Sequence, residues 1–183
     1  MGGKDPERMV TGSPPMAQMV ALPPTEPFEE FYRREFPMLV ALARAISGRG
    51  SADDLAQEAM LVVFRQWGRV SALDEPHVWA RRVCLNMSRS VLRRRLVESR
   101  ALHRLDGRRQ DAPAMEPLNE EFWAAVRALP RRQAEAVALR YVYDLDVAAV
   151  AATMRCSEGS AKTHLARARA ALATRLQEGN EVT

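Results

Sequence analysis

The chain has 183 residues, of which 47% are hydrophobic and 6% aromatic, with a formal net charge of +4 and a sequence pI of about 9.6. This length allows one domain or two small ones, and the basic excess favours a polyanionic partner. Two cysteines and three scattered histidines argue against a disulfide framework or a zinc site, and no apolar run approaches the roughly 20 residues that cross a bilayer. We expect an all-α, cytoplasmic protein with no cofactor, no metal and no membrane partner.

The start of the chain is rich in proline and is followed by a first helical block. Residues 1–27 hold six prolines and show no helical period, which predicts a disordered leader. From residue 28 to 104 apolar residues recur at helical spacing, which predicts one small helical domain. Pro37 should kink or split its first helix, and the glycines of residues 47–50 should end that helix. The three predicted helices cover residues 28–46, 52–67 and 77–104.

A second helical block follows a break in the pattern. Residues 105–118 contain one glycine and two prolines among polar residues, which predicts a flexible linker between two domains. Residues 119–177 form the second predicted domain, a four-helix unit in which Pro130 ends the first helix. Residues 178–183 remain as a short tail.

The most informative segment of the second block is residues 145–165. A short apolar helix, a turn and a helix with a basic, hydroxyl-rich face are typical of a helix-turn-helix. The hydroxyl of Ser157 is placed to cap the second helix. The buried face of that helix is predicted to hold Ala161, Leu165, Ala168, Leu172 and Leu176. The opposite face, suited to base edges and phosphates, holds Lys162, Thr163, Ala166 and Arg167. The alternative is a helical hairpin with a solvated charged face.

Two further clusters lie in the first block. Asp54, Gln57 and Glu58 share one exposed helix face, which could meet the arginines of a partner, bind a metal or be solvated. The third helix combines an aromatic ring, an amide and a row of arginines in Trp79, Arg82, Asn86, Arg89 and Arg93. Such a helix can stack and hydrogen-bond the bases of a single strand, although Trp79 could equally belong to the core.

Four segments together resemble the extracytoplasmic-function (group IV) sigma factors of the bacterial sigma-70 family. Residues 54–58, Asp-Leu-Ala-Gln-Glu, are similar to the D-L-x-Q-E signature of region 2, and residues 76–86 to its W-L-x-x-I-A-x-N stretch. Residues 129–134 resemble the L-P start of region 4, and residues 156–163, Cys-Ser-Glu-Gly-Ser-Ala-Lys-Thr, resemble C-S-E-G-T-V-K-S in its recognition helix.

The resemblance implies a non-enzymatic factor that binds core RNA polymerase, recognises a promoter and promotes DNA melting. Region 2 would occupy residues 28–104, and region 4 residues 119–177. The implied partners are promoter DNA, the clamp helices and flap of the polymerase, and, as a candidate, an anti-sigma factor. The implied sites are Asp54, Gln57 and Glu58 for the clamp helices; Trp79, Arg82, Asn86, Arg89, Arg93 and the loop of residues 68–75 for the −10 element; and Arg140, Ser160, Lys162, Thr163, Ala166 and Arg167 for the −35 element.

Three alternatives remain open at this point. The chain could be a stand-alone helix-turn-helix regulator, an interaction protein that uses only the acidic face, or a metal hydrolase built on Asp53, Asp54 and Glu58. The last lacks an accompanying nucleophile or ligand cluster. Where the chain departs from the family pattern, at Ala149, Ala161 and Ala166, its preference for a −35 sequence is left open.

Overall fold

The computed structural model describes residues 26–88 and 117–180, with side chains over residues 26–88 and 120–177. All regular structure in these ranges is helical and none is β-strand, which confirms the all-α expectation. Most of the predicted leader and linker, and residues 89–104 of the third predicted helix, lie outside the described residues. The helices are α1 Phe28–Ser47, α2 Ala52–Arg65, α3 Trp67–Val70, α4 residues 76–88, α5 Pro117–Arg127, α6 Arg131–Val142, α7 Val147–Met154 and α8 Glu158–Asn180.

Several helix ends differ from the predicted ones. The second helix ends at Arg65, and the separate turn of α3 places the ring of Trp67 4.8 Å from that of Phe31. α5 begins at Pro117, inside the predicted linker, because a proline is tolerated in the first helical turn. At the other end α8 continues to Asn180, into the predicted tail.

α1 passes through Pro37 as one helix, so a split there is excluded. Apolar residues on both sides of the proline, among them Phe31 and Leu42, are fully buried in the same core, and this burial offsets the missing backbone hydrogen bond. The helix ends as predicted at a glycine: Gly48 has a φ of +78°, and its N–H donates to the carbonyl of Arg44 at 3.0 Å.

α6 is buried on more than one side. It contacts α1, α5, α7 and α8, and six consecutive residues, Ala134 to Leu139, are buried as a result. One of them is an acid, Glu135, whose carboxylate is 1% exposed and accepts hydrogen bonds from Arg131 at 3.2 Å and Arg132 at 3.3 Å. A buried carboxylate needs such partners, because its desolvation would otherwise be costly.

The two helical blocks pack against each other. α1 contacts α5 and α6, and the buried residues of both blocks belong to one continuous apolar cluster. An ion pair at 3.3 Å joins Arg49 of the first block to Glu120 of the second. None of the helices in the described ranges combines the length and apolarity that a bilayer-spanning helix needs.

Replacing the fully buried Leu42 with alanine should lower the free energy of unfolding by about 2–5 kcal/mol, because a cavity opens where α1 enters the core. Leu61→Ala is the matched control: Leu61 is 51% exposed, so its truncation should change the free energy by less than about 0.5 kcal/mol. Urea unfolding followed by circular dichroism measures both variants, and equal losses would contradict the assigned core.

Candidate nucleic-acid interface

The helix-turn-helix is built by two side-chain caps and one left-handed residue. Asp146 caps α7 by accepting a hydrogen bond from the N–H of Ala149 at 2.7 Å. Ser157 caps α8, as predicted, by accepting from the N–H of Ser160 at 3.2 Å. Between them Arg155 takes the left-handed conformation, with φ 52° and ψ 56°, which turns the chain from one helix into the other.

α8 divides into the two predicted faces. Ala161 is fully buried, as are Leu165, Ala168 and Leu172 to within a few per cent, and Leu176 is half-buried. The exposed face carries every residue assigned to it from the sequence: Ser160, Lys162, Thr163, Ala166 and Arg167. The buried methyl of Ala161 shows that the small side chain is accommodated by close packing of α8 against its neighbours.

Some polar groups of the exposed face already have neighbours within the protein. The Thr163 hydroxyl donates to the carbonyl of Gly159 at 2.8 Å, and the Ser160 hydroxyl lies 2.9 Å from that of Ser157. Both oxygens keep lone pairs that can accept from a ligand. The ammonium of Lys162 is 4.0 Å from Glu158 and largely exposed, so it is available to a phosphate.

Arg140 lies at the end of α6 and has a structural contact of its own. Its guanidinium donates to the carbonyl of Leu145 at 2.5 Å and lies 3.8 Å from the carboxylate of Asp144. These contacts hold the loop before α7, and the guanidinium, whose side chain is 43% exposed, has further N–H groups that can donate to a ligand. Arg140 can therefore position the helix-turn-helix and also reach a phosphate.

The acidic face on α2 is exposed as predicted. Asp54, Gln57 and Glu58 are exposed, and among the described residues none forms an ion pair with either carboxylate. Sequence reasoning missed the adjoining apolar patch: Leu61 is 51% and Phe64 56% exposed, further along the same helix. Together with Gln57 these side chains line a shallow groove, and exposed apolar groups of this kind mark interaction sites.

The candidate residues on α4 do not form a free surface. Asn86 is exposed and Trp79 is half-buried against the core, but Arg82 is bound to the second block. Its guanidinium donates to the carbonyls of Ala152 at 2.6 Å and Thr153 at 3.2 Å. Burial lowers the pKa of Arg82, and the charge of Arg155 lowers it further.

A cleft of about 450 Å³ lies between α4 and the end of α7. One wall carries Trp79, Arg82 and Asn86, and the other is formed by Arg132 and the end of α7. The residues of the first wall were assigned from the sequence as candidate DNA-binding residues, and those of the second wall were not. Arg89 and Arg93 lie outside the described residues, and their assignment stays a prediction.

Beside the cleft, Arg81 of α4 lies over the ring of Tyr143 from the second block, with 3.9 Å between the guanidinium carbon and the ring centroid. Burial raises the pKa of the Tyr143 hydroxyl. It also raises the pKa of the Cys84 thiol to about 12, so this thiol stays protonated and unreactive at neutral pH. No three acidic, histidine or cysteine side chains of the described residues are grouped as a metal site.

Comparisons with known proteins match each of the two helical blocks to a family model. The family model Sigma-70 region 2 matches residues 31–98, and the model Sigma-70, region 4 matches residues 119–172. The fold is similar to the sigma factor RpoE from Bartonella quintana, solved with the anti-sigma factor NepR, at a TM-score of 0.68 and 23% identity, covering 82% of this chain and 96% of that one. It is also similar to CnrH, solved with the cytosolic domain of CnrY, at a TM-score of 0.59 and 19% identity, covering 82% of this chain and 88% of that one. No protein of curated function matches the sequence significantly.

Asp146→Ala should lower the free energy of unfolding by about 1 kcal/mol, because the N–H of Ala149 loses its acceptor at the start of α7. Asp146→Asn should stay close to the parent, since an asparagine oxygen caps nearly as well. Chemical denaturation of the three proteins measures the difference. Equal stability of Asp146→Ala and the parent would show that the cap does not stabilise α7.

Proposed function

The chain belongs to the sigma-70 family, in its extracytoplasmic-function group, and we propose that it binds core RNA polymerase, recognises −35 and −10 promoter elements and promotes DNA melting. Sigma factors are transcription initiation factors and not enzymes. The observation that carries the proposal is that one small chain combines an acidic face on α2, the ring of Trp79 and the amide of Asn86 on α4, and the polar face of a helix-turn-helix on α8.

We assign polymerase binding to Asp54, Gln57 and Glu58. The two carboxylates stand on a rigid helix whose other face is buried through Leu55 and its neighbours, so their positions are set before a partner arrives. With no cation of the described residues beside them, they can pair with the arginines or lysines of another protein. The adjoining exposed side chains of Leu61 and Phe64 add the apolar area that a stable interface needs.

We assign −35 binding to the exposed face of α8. Lys162 and Arg167 would contact phosphates or guanine edges, and the hydroxyls of Ser160 and Thr163 would add hydrogen bonds. The methyl group of Ala166 suits contact with a thymine methyl rather than a hydrogen bond. Arg140, at the adjacent end of α6, would add a phosphate contact.

We assign −10 recognition and melting to α4. Unstacking a base from the duplex costs a few kcal/mol, and a stacking contact with a ring such as Trp79 returns about 1–3 kcal/mol per base. The amide of Asn86 can read a base edge, while Arg82, with Arg89 and Arg93, would hold the phosphates of the displaced strand. Melting is favourable when the free energy gained from these contacts together exceeds the free-energy cost of unstacking.

An anti-sigma factor is a further proposed partner. RpoE of Bartonella quintana was solved with the anti-sigma factor NepR, and the fold of this chain is similar to it over 96% of that structure. The exposed apolar side chains of Leu61 and Phe64 would provide an inhibitor with the same contact surface that they provide for the polymerase.

The double charge reversal Asp54→Lys with Glu58→Lys should weaken binding to core RNA polymerase by at least about 100-fold, because like charges replace both ion pairs at the interface. Fluorescence anisotropy of the labelled chain, titrated with core enzyme, measures the dissociation constant. The charge-matched control is Glu30→Lys with Glu121→Lys, which changes two exposed acids away from the acidic face and should leave the constant within about three-fold. If the two double variants weakened binding equally, the loss would be explained by the change in net charge alone. That result would refute the acidic face as the polymerase-binding site.

Removing one phosphate contact from α8 should weaken duplex binding and flatten its salt dependence. For Arg167→Ala, bound to core polymerase, the slope of log affinity against log salt should fall by about 1 on a duplex selected from a random pool. Arg175→Ala removes the same charge about 12 Å further along α8, and its slope should not change. Identical slopes for the two variants would contradict the assignment of the −35 face.

A further inference from the structure

We propose that a segment of the chain's own N-terminal leader, residues 16–22, binds in the apolar groove between α1 and α2. Six side chains line this groove: Phe28, Tyr32, Gln57, Met60, Leu61 and Phe64. Binding of the leader to the groove is independent of the proposed function. Its effect on polymerase binding rests on the proposed function, because the groove adjoins the acidic face of α2.

The groove is an apolar surface that the described part of the chain leaves open to solvent. It encloses about 320 Å³, and Gln57 is the one lining residue whose side chain is neither aliphatic nor aromatic. Tyr32 is 37%, Leu61 51% and Phe64 56% exposed. Large apolar side chains that lie together in water favour a ligand that covers them.

The rings that form the groove are held by contacts with one another. The ring centroid of Phe28 lies 4.9 Å from that of Phe64 and 6.0 Å from that of Tyr32. Tyr32 in turn stacks on Phe36 at 4.8 Å, and Met60, which also lines the groove, is only 2% exposed. The groove is therefore formed before a ligand enters, which reduces the ordering cost of binding.

The leader joins the described structure beside this groove. Glu26 is held at the start of α1 by Arg34, whose guanidinium donates to both of its carboxylate oxygens, to Oε2 at 3.1 Å. This point lies two residues before Phe28, the first residue that lines the groove. The four residue steps from Glu26 back to Leu22 span at most about 14 Å, whereas a helix with its side chains is about 10–12 Å wide. Residues 16–22 can therefore reach the groove from either side of α1.

The composition of the leader matches the groove in this segment. Residues 9–25 carry no charge, and within them residues 16–22, Met-Ala-Gln-Met-Val-Ala-Leu, include six apolar residues among seven. Methionine is unbranched and flexible, and its thioether makes favourable contacts with aromatic rings. Two methionines in the segment therefore suit a groove that is formed by three rings.

The covalent link makes weak binding sufficient. A separate peptide of seven residues would bind a shallow groove poorly, but a short linker gives the attached segment an effective concentration in the millimolar range. A partner must displace the leader before it contacts Leu61 and Phe64. Its apparent dissociation constant consequently rises in inverse proportion to the fraction of chains in which the groove is free.

The first test detects the leader in the groove. In the full chain labelled with carbon-13 at the methionine methyl groups, the signals of Met16 and Met19 are identified as those that Met16→Leu and Met19→Leu remove. Nuclear Overhauser effects should connect at least one of these methyl groups to ring protons of the groove, at an intensity per chain that does not change on dilution. Tyr32→Ser should abolish these effects, because it removes one of the rings. Tyr141→Ser changes a 59% exposed tyrosine outside the groove and should preserve them.

Three results of this test would overturn the proposal. The first is the absence of these Overhauser effects in the parent chain. The second is effects that fade on dilution, because they would come from the leader of a second copy. The third is effects of equal strength in Tyr32→Ser and the parent, because the leader would then lie elsewhere.

The second test measures the effect on polymerase binding. The leader variant Met16→Ser with Met19→Ser and Leu22→Ser should bind core RNA polymerase about three- to ten-fold more tightly than the parent, because its groove is free. The control Met9→Ser with Val10→Ser removes apolar side chains from the same leader outside the segment and should stay within about two-fold. Fluorescence anisotropy measures the three dissociation constants. Equal constants for the leader variant and the control would overturn the competition between leader and polymerase.

The two tests separate this inference from the proposed function. A chain that shows the Overhauser effects but does not bind core polymerase would refute the proposed function and leave the binding of the leader intact. A chain that binds core polymerase without showing the effects would refute the binding of the leader alone.

Discussion

The structure depends on the burial of α1 against two sets of helices. One side of α1 packs on α2, and another packs on α5 and α6, so the residues that it buries join the cores of both blocks. Each fully buried leucine or phenylalanine contributes about 1.5–3 kcal/mol relative to exposure, and Phe31, Leu39 and Leu42 are all of this kind. This shared helix accounts for the continuous passage through Pro37 and for the burial of α6 on several sides.

The shared core also determines where the functional groups stand. α2 packs on α1 with Leu55 inward, and this leaves the carboxylates of Asp54 and Glu58 pointing away from the protein. α8 packs on α6 and α7 through its alanines and leucines, and its polar side faces outward. α4 differs, because one of its candidate DNA-binding residues, Arg82, faces the second block. The guanidinium of Arg82 thus completes the hydrogen bonding of α7 in addition to the role proposed for it on α4.

The sequence predicted what depends on local pattern. Helical periodicity identified the buried face of α8, and the preference of serine for helix starts identified the cap at Ser157. The exposure of Asp54, Gln57 and Glu58 followed from their spacing. The roles assigned to them, and to the residues on α4 and α8, came from the resemblance to the family and remain proposals.

What the sequence could not predict depends on contacts between distant segments. Arg82 donates to backbone carbonyls, which every residue has, so no sequence motif could indicate these partners. Arg155 takes the left-handed conformation without the glycine that usually marks such a position, so the residue type did not indicate it. Leu61 and Phe64 are apolar and were assigned no role from the sequence, yet they are exposed beside the acidic face. The signal that could have found them is their position, three and six residues beyond Glu58 on the same helix.

Reconstituted transcription tests the central claim most directly. Core RNA polymerase is incubated with fragmented genomic DNA of the source organism, with and without the chain, and run-off transcripts are mapped. The account predicts discrete transcripts that appear only when the chain is present, that start at a fixed distance from a shared upstream sequence, and that disappear with Asp54→Lys and Glu58→Lys. An identical set of transcripts with and without the chain would contradict it.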